Sequence, residues 1–156
     1  MPSKRPQAAL PLPPEGIESP GGAGSTRGIR LVESGAMGRV AYARIAPNED
    51  LVQGIEKLCV AEGFRHAFVR GALGSLVDAC LATADGGCRA IAGPAIEVVS
   101  LAGEVRPQPD GSLRAALTGV VADTDGRVHG GPFVAGANPV CVTFEVTLEE
   151  WLPAAS

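Results

Sequence analysis

The sequence contains few aromatic and few imidazole side chains. Phe, Trp and Tyr make up 4% of the 156 residues, and only two residues are histidine. The hydrophobic fraction is nevertheless 46%, which is enough to fill a core and excludes a wholly disordered chain. Val, Leu, Ile and Ala must therefore do most of the packing, and the β-branched residues among them favour strands.

The cysteines lack the spacing of a metal or redox motif. None of the four is part of a C-x-x-C pair, so the sequence indicates neither a zinc ribbon nor a thioredoxin-like site. Free cysteines in folded proteins are mostly buried and behave as small apolar residues. We therefore predict buried thiols at Cys59, Cys80, Cys88 and Cys141.

Two motifs of common enzyme classes are also missing. The glycine pairs Gly71-x-x-Gly74 and Gly130-Gly131 are not followed by the Gly-Lys-Ser/Thr of a phosphate-binding loop. No G-x-S-x-G segment is present to present a nucleophilic serine. Nucleotide hydrolysis and serine hydrolase chemistry therefore have no support in the sequence.

Long apolar segments are absent as well. No stretch approaches the ~20 apolar residues of a membrane span, and residues 1–34 lack the uninterrupted apolar segment of a secretory signal. We therefore expect a cytoplasmic protein with no membrane contact. Residues 1–34 are rich in Pro, Gly and Ser and are predicted to be a disordered arm, followed by one domain over residues 35–152.

The predicted domain has no excess of basic residues. Residues 1–34 carry a charge of +1, whereas residues 35–156 contain nine basic and fourteen acidic groups and carry −5. An acidic surface gains no counterion release from a phosphate backbone, and no basic stripe is visible. The charge therefore argues against DNA as a partner.

One amphipathic helix is predicted near the start of this domain. Apolar residues recur at helical spacing over residues 51–59 and form one stripe. Asn48 is the predicted N-cap, and Glu49 and Asp50 complement the positive end of the helix dipole. Gly63 suits the left-handed residue that ends a helix.

Strand patterns follow the helix, with turn signals at 85–87, 107–111 and 123–126. A bend over residues 71–74 is expected to separate two strands, and Val142 is expected to share the apolar face of the last strand. One helix and about six or seven later strands predict an α+β fold, a mainly antiparallel sheet with the helix on one face. One strand, 38–45, is predicted before the helix, and those after it are 65–70, 75–83, 96–105, 113–122, 127–129 and 140–148.

Four blocks in collinear order resemble the plants-and-prokaryotes-conserved (PPC) domain family. They are residues 47–51, 71–76, 96–103 and 122–131, within a resemblance that spans about residues 38–150. The resemblance implies a homotrimer with clefts where subunits meet. In plants the domain often follows an AT-hook and mainly mediates association with partner proteins. Stand-alone prokaryotic members often carry a DNA-binding label by that analogy.

The sequence departs from the PPC pattern at two places. Ser3-Lys4-Arg5-Pro6 lacks the glycine between two arginines of an AT-hook, so we predict a solvated tail rather than a minor-groove arm. Many prokaryotic members carry a His-x-His pair and a third His after Gly-Gly, and the matching positions here are Ala116, Thr118 and Pro132. None of these supplies an imidazole, so we predict neither a metal nor another cofactor.

The remaining polar residues near the glycine pairs are the candidate ligand contacts. His129 is either a ligand contact or proton donor beside Gly130-Gly131, or a residue that merely flanks a turn. Arg70, Arg114 and Arg127 either pair with acidic side chains, hold an anionic ligand or are simply solvated. The candidate ligand-binding residues are Arg70, Ser75, Arg114, Thr118, His129, Gly130 and Gly131.

Three hypotheses for function follow from these observations. The first is a homotrimeric binding or regulatory module that holds a small anionic molecule or a partner protein at its intersubunit clefts. The second is DNA binding, as the family label suggests. The third is a metal-independent enzyme with His129 as acid or base and Arg114 orienting the substrate; the sequence favours a non-enzymatic role over it.

Overall fold

The computed structural model describes residues 32–154, and the predicted disordered arm lies almost entirely outside them. One helix and eight strands follow one another along this part of the chain. In chain order they are β1 (Gly35–Ile45), α1 (Leu51–Glu62), β2 (Ala67–Leu76), β3 (Ala79–Ala82), β4 (Cys88–Ile91), β5 (Ile96–Pro107), β6 (Leu113–Ala122), β7 (Val128–Pro132) and β8 (Val140–Pro153).

Six of the strands form one antiparallel sheet in the order β1-β8-β2-β5-β6-β7. The short strands β3 and β4 form a separate hairpin. The predicted α+β class, with a mainly antiparallel sheet and one helix, is confirmed. The predicted hairpin through residues 107–111 is also confirmed, because β5 and β6 pair from Pro107 opposite Leu113 to Glu97 opposite Ala122.

Helix α1 covers one face of the sheet. Its buried residues Leu51, Val52 and Ile55 join one apolar cluster with side chains from the strands, including Leu117 and Leu148. An antiparallel sheet needs only one covered face. We call the opposite, helix-free face the outer face.

The ends of α1 follow sequence rules, with one shift. Gly63 has the expected left-handed conformation at φ 71°, and its N–H and that of Phe64 bond carbonyls of the last turn. The N-cap is Asp50 rather than Asn48, because Asp50 Oδ1 accepts the Gln53 N–H at 2.9 Å. Asn48 instead takes a positive φ of 66° in the preceding turn.

Three further expectations are corrected. No bend separates residues 70 and 75: β2 runs through the glycines and absorbs them as two register shifts against β8. Val142 is 69% exposed, whereas its neighbours in the predicted apolar row are buried. The four cysteines are not all buried thiols, since Cys88 is exposed and is bonded to Cys80. Cys59 is a buried thiol whose pKa burial raises to about 11.

Within residues 32–154, α1 is too short and too polar to cross a lipid bilayer.

Candidate functional site

The outer face carries a cleft at the end of the sheet where β2, β5 and β6 lie side by side. Phe68 lies opposite Glu104, and Glu104 lies opposite Ala116, so these three side chains form one row across the strands. Residues directly opposite one another point to the same face of an antiparallel sheet. The cleft has a volume of about 450 Å³.

One of the predicted ligand contacts lines this cleft, and two others lie beside it on β6. Arg70 lines it directly, and Arg114 and Thr118 flank Ala116 at alternate positions of β6, where exposed residues alternate with inward-facing ones. Arg70 is held by an ion pair with Glu149, with its Nε 2.6 Å from the carboxylate. Arg114 makes no side-chain hydrogen bond or ion pair with any other residue of the range 32–154.

Ser75 shares the outer face but not the cleft. It lies opposite Glu97, whereas Phe68 lies opposite Glu104. Seven residues of extended strand separate these two positions of β5, which corresponds to roughly 20 Å. The structure therefore does not bring Ser75 together with Arg70 and Arg114.

His129 lies on the other face of the sheet. It is opposite the buried Val121 in the β6–β7 register, three positions from the pair of Thr118 and Pro132. Its Nε2 lies 3.1 Å from Asp123 Oδ2. Asp123 Oδ1 also accepts the backbone N–H groups of Asp125 and Arg127, so the pair belongs to the β6–β7 turn.

The hydrogen bond from His129, together with those from the turn, holds the pKa of Asp123 below its ordinary value against the opposing effect of desolvation. The carboxylate is therefore charged at neutral pH and fixes the imidazole. Gly130 lies opposite Val120 and Gly131 opposite Gly119, so the glycine pair contributes to both faces. His129 and Arg114 do not share a face, and the structure does not assemble them as an acid–base site.

The three positions at which the PPC resemblance implies histidines are spatial neighbours. Thr118 lies directly opposite Pro132, and Ala116 is two residues from Thr118 on the same face. Their side chains offer a methyl group, a hydroxyl and a pyrrolidine ring, which do not fit a transition metal that prefers nitrogen or sulfur ligands. Within the described range, no group of three or more His, Cys, Asp or Glu side chains is placed to hold a metal ion.

A family model settles the relationship that these positions suggest. The model of the Plants and Prokaryotes Conserved (PCC) domain, the domain abbreviated PPC above, matches residues 32–152. The chain belongs to the PCC domain family. The match covers every strand and the helix, apart from the last residue of β8.

Solved structures share the fold of this PCC domain at low sequence identity. A plant- and prokaryote-conserved protein from Pyrococcus horikoshii is 22% identical, with a TM-score of 0.67 over 78% of this chain and 85% of that one. A protein described as metal-containing, from Archaeoglobus fulgidus, is 22% identical, with a TM-score of 0.68 over 81% and 89%. A candidate DNA-binding protein from Ralstonia eutropha is 16% identical, with a TM-score of 0.58 over 72% and 77%. No curated protein matches the chain.

The PCC domain also contains a polar cluster that sequence reasoning missed. His66 is only 5% exposed, and its Nε2 lies 3.0 Å from Glu104 Oε2, which also accepts Arg106 Nε at 2.7 Å. Desolvation alone would raise the pKa of Glu104, but the bonds from Arg106 and His66 hold it below its ordinary value. Glu104 therefore lines the cleft as a carboxylate whose charge is already balanced by Arg106 of the same chain.

The cluster extends to Glu33, whose carboxylate accepts Trp151 Nε1 at 2.6 Å and lies 3.8 Å from His66 Nδ1. These residues come from four separate places in the chain. No local pattern could have joined them.

Proposed function

We propose that this PCC domain is a homotrimeric binding module whose outer faces meet at the subunit interfaces. It holds a small anionic molecule or a partner protein at the clefts formed there. A regulatory role and a cytoplasmic location are part of the same proposal. The cleft lined by Phe68, Arg70 and Ala116 supplies this chain's side of the site.

The observation that carries the proposal is a set of large exposed apolar side chains on the outer face. Val40 and Tyr42 on the edge strand β1 are 63% and 69% exposed, and Leu73 on the central strand β2 is 64% exposed. Each lies opposite an outer-face residue of β8, namely Glu149, Thr147 and Glu145. Large apolar side chains on a sheet face without a helix are typical of a surface that is covered by another protein.

The charges around the cleft favour an anion as the small-molecule ligand. Arg70 and Arg106 are each bonded to a carboxylate of their own subunit. Arg114 projects from the same face two residues from Ala116 and makes no such bond within residues 32–154. A guanidinium group in that position pairs well with a carboxylate or phosphate oxygen.

The test of the assembly is a charge placed on the outer face. Leu73→Lys puts an ammonium group opposite Glu145, a cross-strand arrangement that the isolated subunit tolerates. We expect this variant to fold and to sediment as a smaller species than the wild type, because removing a charged group from water at an interface costs several kcal/mol of desolvation. The measurement is sedimentation velocity over a range of protein concentrations.

The matched control is Val60→Lys. Val60 is 66% exposed on α1, on the side of the molecule away from the outer face, so this variant should keep the wild-type sedimentation coefficient. Equal sedimentation of the wild type and both variants would contradict the assignment of the outer face.

DNA binding is the second candidate, and it rests on the description of the Ralstonia eutropha neighbour. The described basic residues give it little support, because six of the nine form ion pairs with carboxylates. A mobility-shift assay at about 50 mM salt decides between the two candidates, since non-specific phosphate contacts are strongest at low salt. Absence of a shift there removes DNA from consideration.

A further inference from the structure

The β3–β4 hairpin stands apart from the six-stranded sheet and contains both bonded cysteines. We propose that Cys80 and Cys88 form a redox-reversible clip that fixes β4 to β3, and that reduction of the clip releases β4 together with Arg89. The proposal does not depend on the trimer or on any ligand.

The register of the hairpin brings the two sulfur atoms to one face. Cys80 lies opposite Ala90, and Cys88 lies opposite Ala82, so the cysteines are diagonal neighbours on the same side of the pair. Their Cα atoms are 6.0 Å apart, within the range in which a disulfide closes without moving the backbone. The hairpin is therefore built to accept the bridge.

The two ends of the bridge are anchored very differently. Cys80 is nearly buried, its N–H donates to Asn138 Oδ1 at 2.9 Å, and its carbonyl accepts the Val134 N–H at 3.0 Å. Leu81, the next residue of β3, also pairs with Phe133 through backbone hydrogen bonding, as an isolated antiparallel β-bridge. This strand is thus fixed to the body of the domain whether or not the disulfide is present.

Strand β4 has no comparable anchor. Its ladder hydrogen bonds go to β3 alone, and Cys88, Arg89 and Ala90 are exposed, with only Ile91 buried. A two-stranded hairpin without further support is marginally stable in water. The disulfide therefore stabilises mainly β4, and reduction of the disulfide loosens that strand first.

Strand β4 matters because of Arg89. Arg89 lines a cleft of about 250 Å³ together with Thr83 and Gly130. Arg89 makes no ion pair with any carboxylate of residues 32–154, so its position depends on the strand that carries it. Release of β4 moves the Arg89 guanidinium away from the wall of this cleft.

The exchange chemistry balances with a dithiol reductant of the thioredoxin class. One thiolate of the reductant attacks the exposed Cys88 sulfur, and the S–S bond breaks as Cys80 leaves as a thiolate and takes up a proton. The second reductant thiol then attacks the mixed disulfide and frees Cys88, so the reductant leaves as a disulfide that has given up two electrons. Glutathione disulfide re-forms the bridge: the Cys88 thiolate attacks it and releases one glutathione, and the Cys80 thiolate then attacks the mixed disulfide on Cys88 and releases the second. In the predicted cytoplasmic location, such bridges are usually transient rather than structural.

The test uses the full chain equilibrated in glutathione buffers of different redox potential. Native alkylation followed by mass spectrometry should show Cys80 and Cys88 gaining and losing reactivity together, whereas Cys59 and Cys141 do not follow the redox potential. Hydrogen exchange of peptides covering residues 83–91 should be at least about tenfold faster in the reduced protein. Exchange in β5 and β6 should be unchanged.

Two variants complete the test. Cys88→Ser should exchange like the reduced wild type at every potential, and Cys141→Ser should behave like the wild type. The proposal is overturned if no bridge forms in glutathione disulfide, if dithiothreitol fails to reduce it in the native protein, or if β4 exchanges equally fast in both redox states.

Discussion

Asn138 is expected to be one of the most sensitive polar positions of this domain. It is fully buried, its Oδ1 accepts the Cys80 N–H at 2.9 Å, and its Nδ2 donates to the Val134 carbonyl at 2.5 Å. Its own N–H donates to Asp50 Oδ2 at 2.8 Å, and Asp50 caps α1. The side chain of Asn138 thus connects the β3–β4 hairpin to the loop before β8, and its backbone connects that loop to the helix.

The substitution Asn138→Ala should lower the free energy of unfolding by about 2–4 kcal/mol. It leaves the Cys80 N–H buried without a partner, which costs about 1–3 kcal/mol, and it removes a second hydrogen bond worth about 1 kcal/mol. The Val134 carbonyl keeps a weaker bond from the Ala137 N–H at 3.3 Å. A loss of about 2–4 kcal/mol is a large part of the free energy of unfolding of a typical domain.

Urea unfolding followed by the fluorescence of Trp151 measures this loss, with the m-value expected to stay constant. Gln53→Ala is the control, because Gln53 is exposed on α1, away from the outer face, and its side chain makes no hydrogen bond within the described part of the chain. A change below about 0.5 kcal/mol in Asn138→Ala, the range of ordinary surface substitutions, would refute the reasoning.

Two further predictions concern stability at acid pH and strain in the backbone at Gly74. Hydrogen bonds from His129 lower the pKa of Asp123, and those from Tyr42 and Arg44 lower the pKa of Glu145. The contribution of these two carboxylates to stability is therefore present above the unfolded pKa of about 4 and is lost as the pH falls through the folded values. In Asp123→Asn, the urea midpoint should fall less between pH 5 and 3 than in the wild type. An equal fall in the two proteins would contradict this. Gly74→Ala should destabilise by about 1–3 kcal/mol, because Gly74 has φ 154° and its new Cβ would lie 2.5 Å from the Thr143 carbonyl oxygen. Gly86→Ala, with positive φ but no atom within 4 Å, separates the steric cost from the conformational one, and equal losses in the two variants would rule out the clash.

The sequence predicted those parts of the fold that depend on local chemistry. The apolar stripe of α1, the glycine that ends it and the turn between β5 and β6 each follow from residues close together in the chain. The PPC resemblance correctly placed Ala116, Thr118 and Pro132 as neighbours, because it carried information about strand pairing that no single segment contains.

The remaining features depend on contacts between distant segments. Gly71 and Gly74 indicate a bend when viewed locally, but pairing with β8 continues through both glycines, holds β2 extended and turns the irregularity into register shifts. The spacing of Cys80 and Cys88 matched no known motif, yet a short hairpin brings them together. His129 could not be assigned to a face from sequence, because its side follows from its pairing with Val121.

The most direct test of the proposed function is the native mass of the untagged wild-type protein, measured together with any small molecule that co-purifies with it. A trimer of the 15.8 kDa chain, carrying an anionic molecule that is lost in Arg114→Ala, is the predicted result. A monomer that persists at high protein concentration would contradict the account.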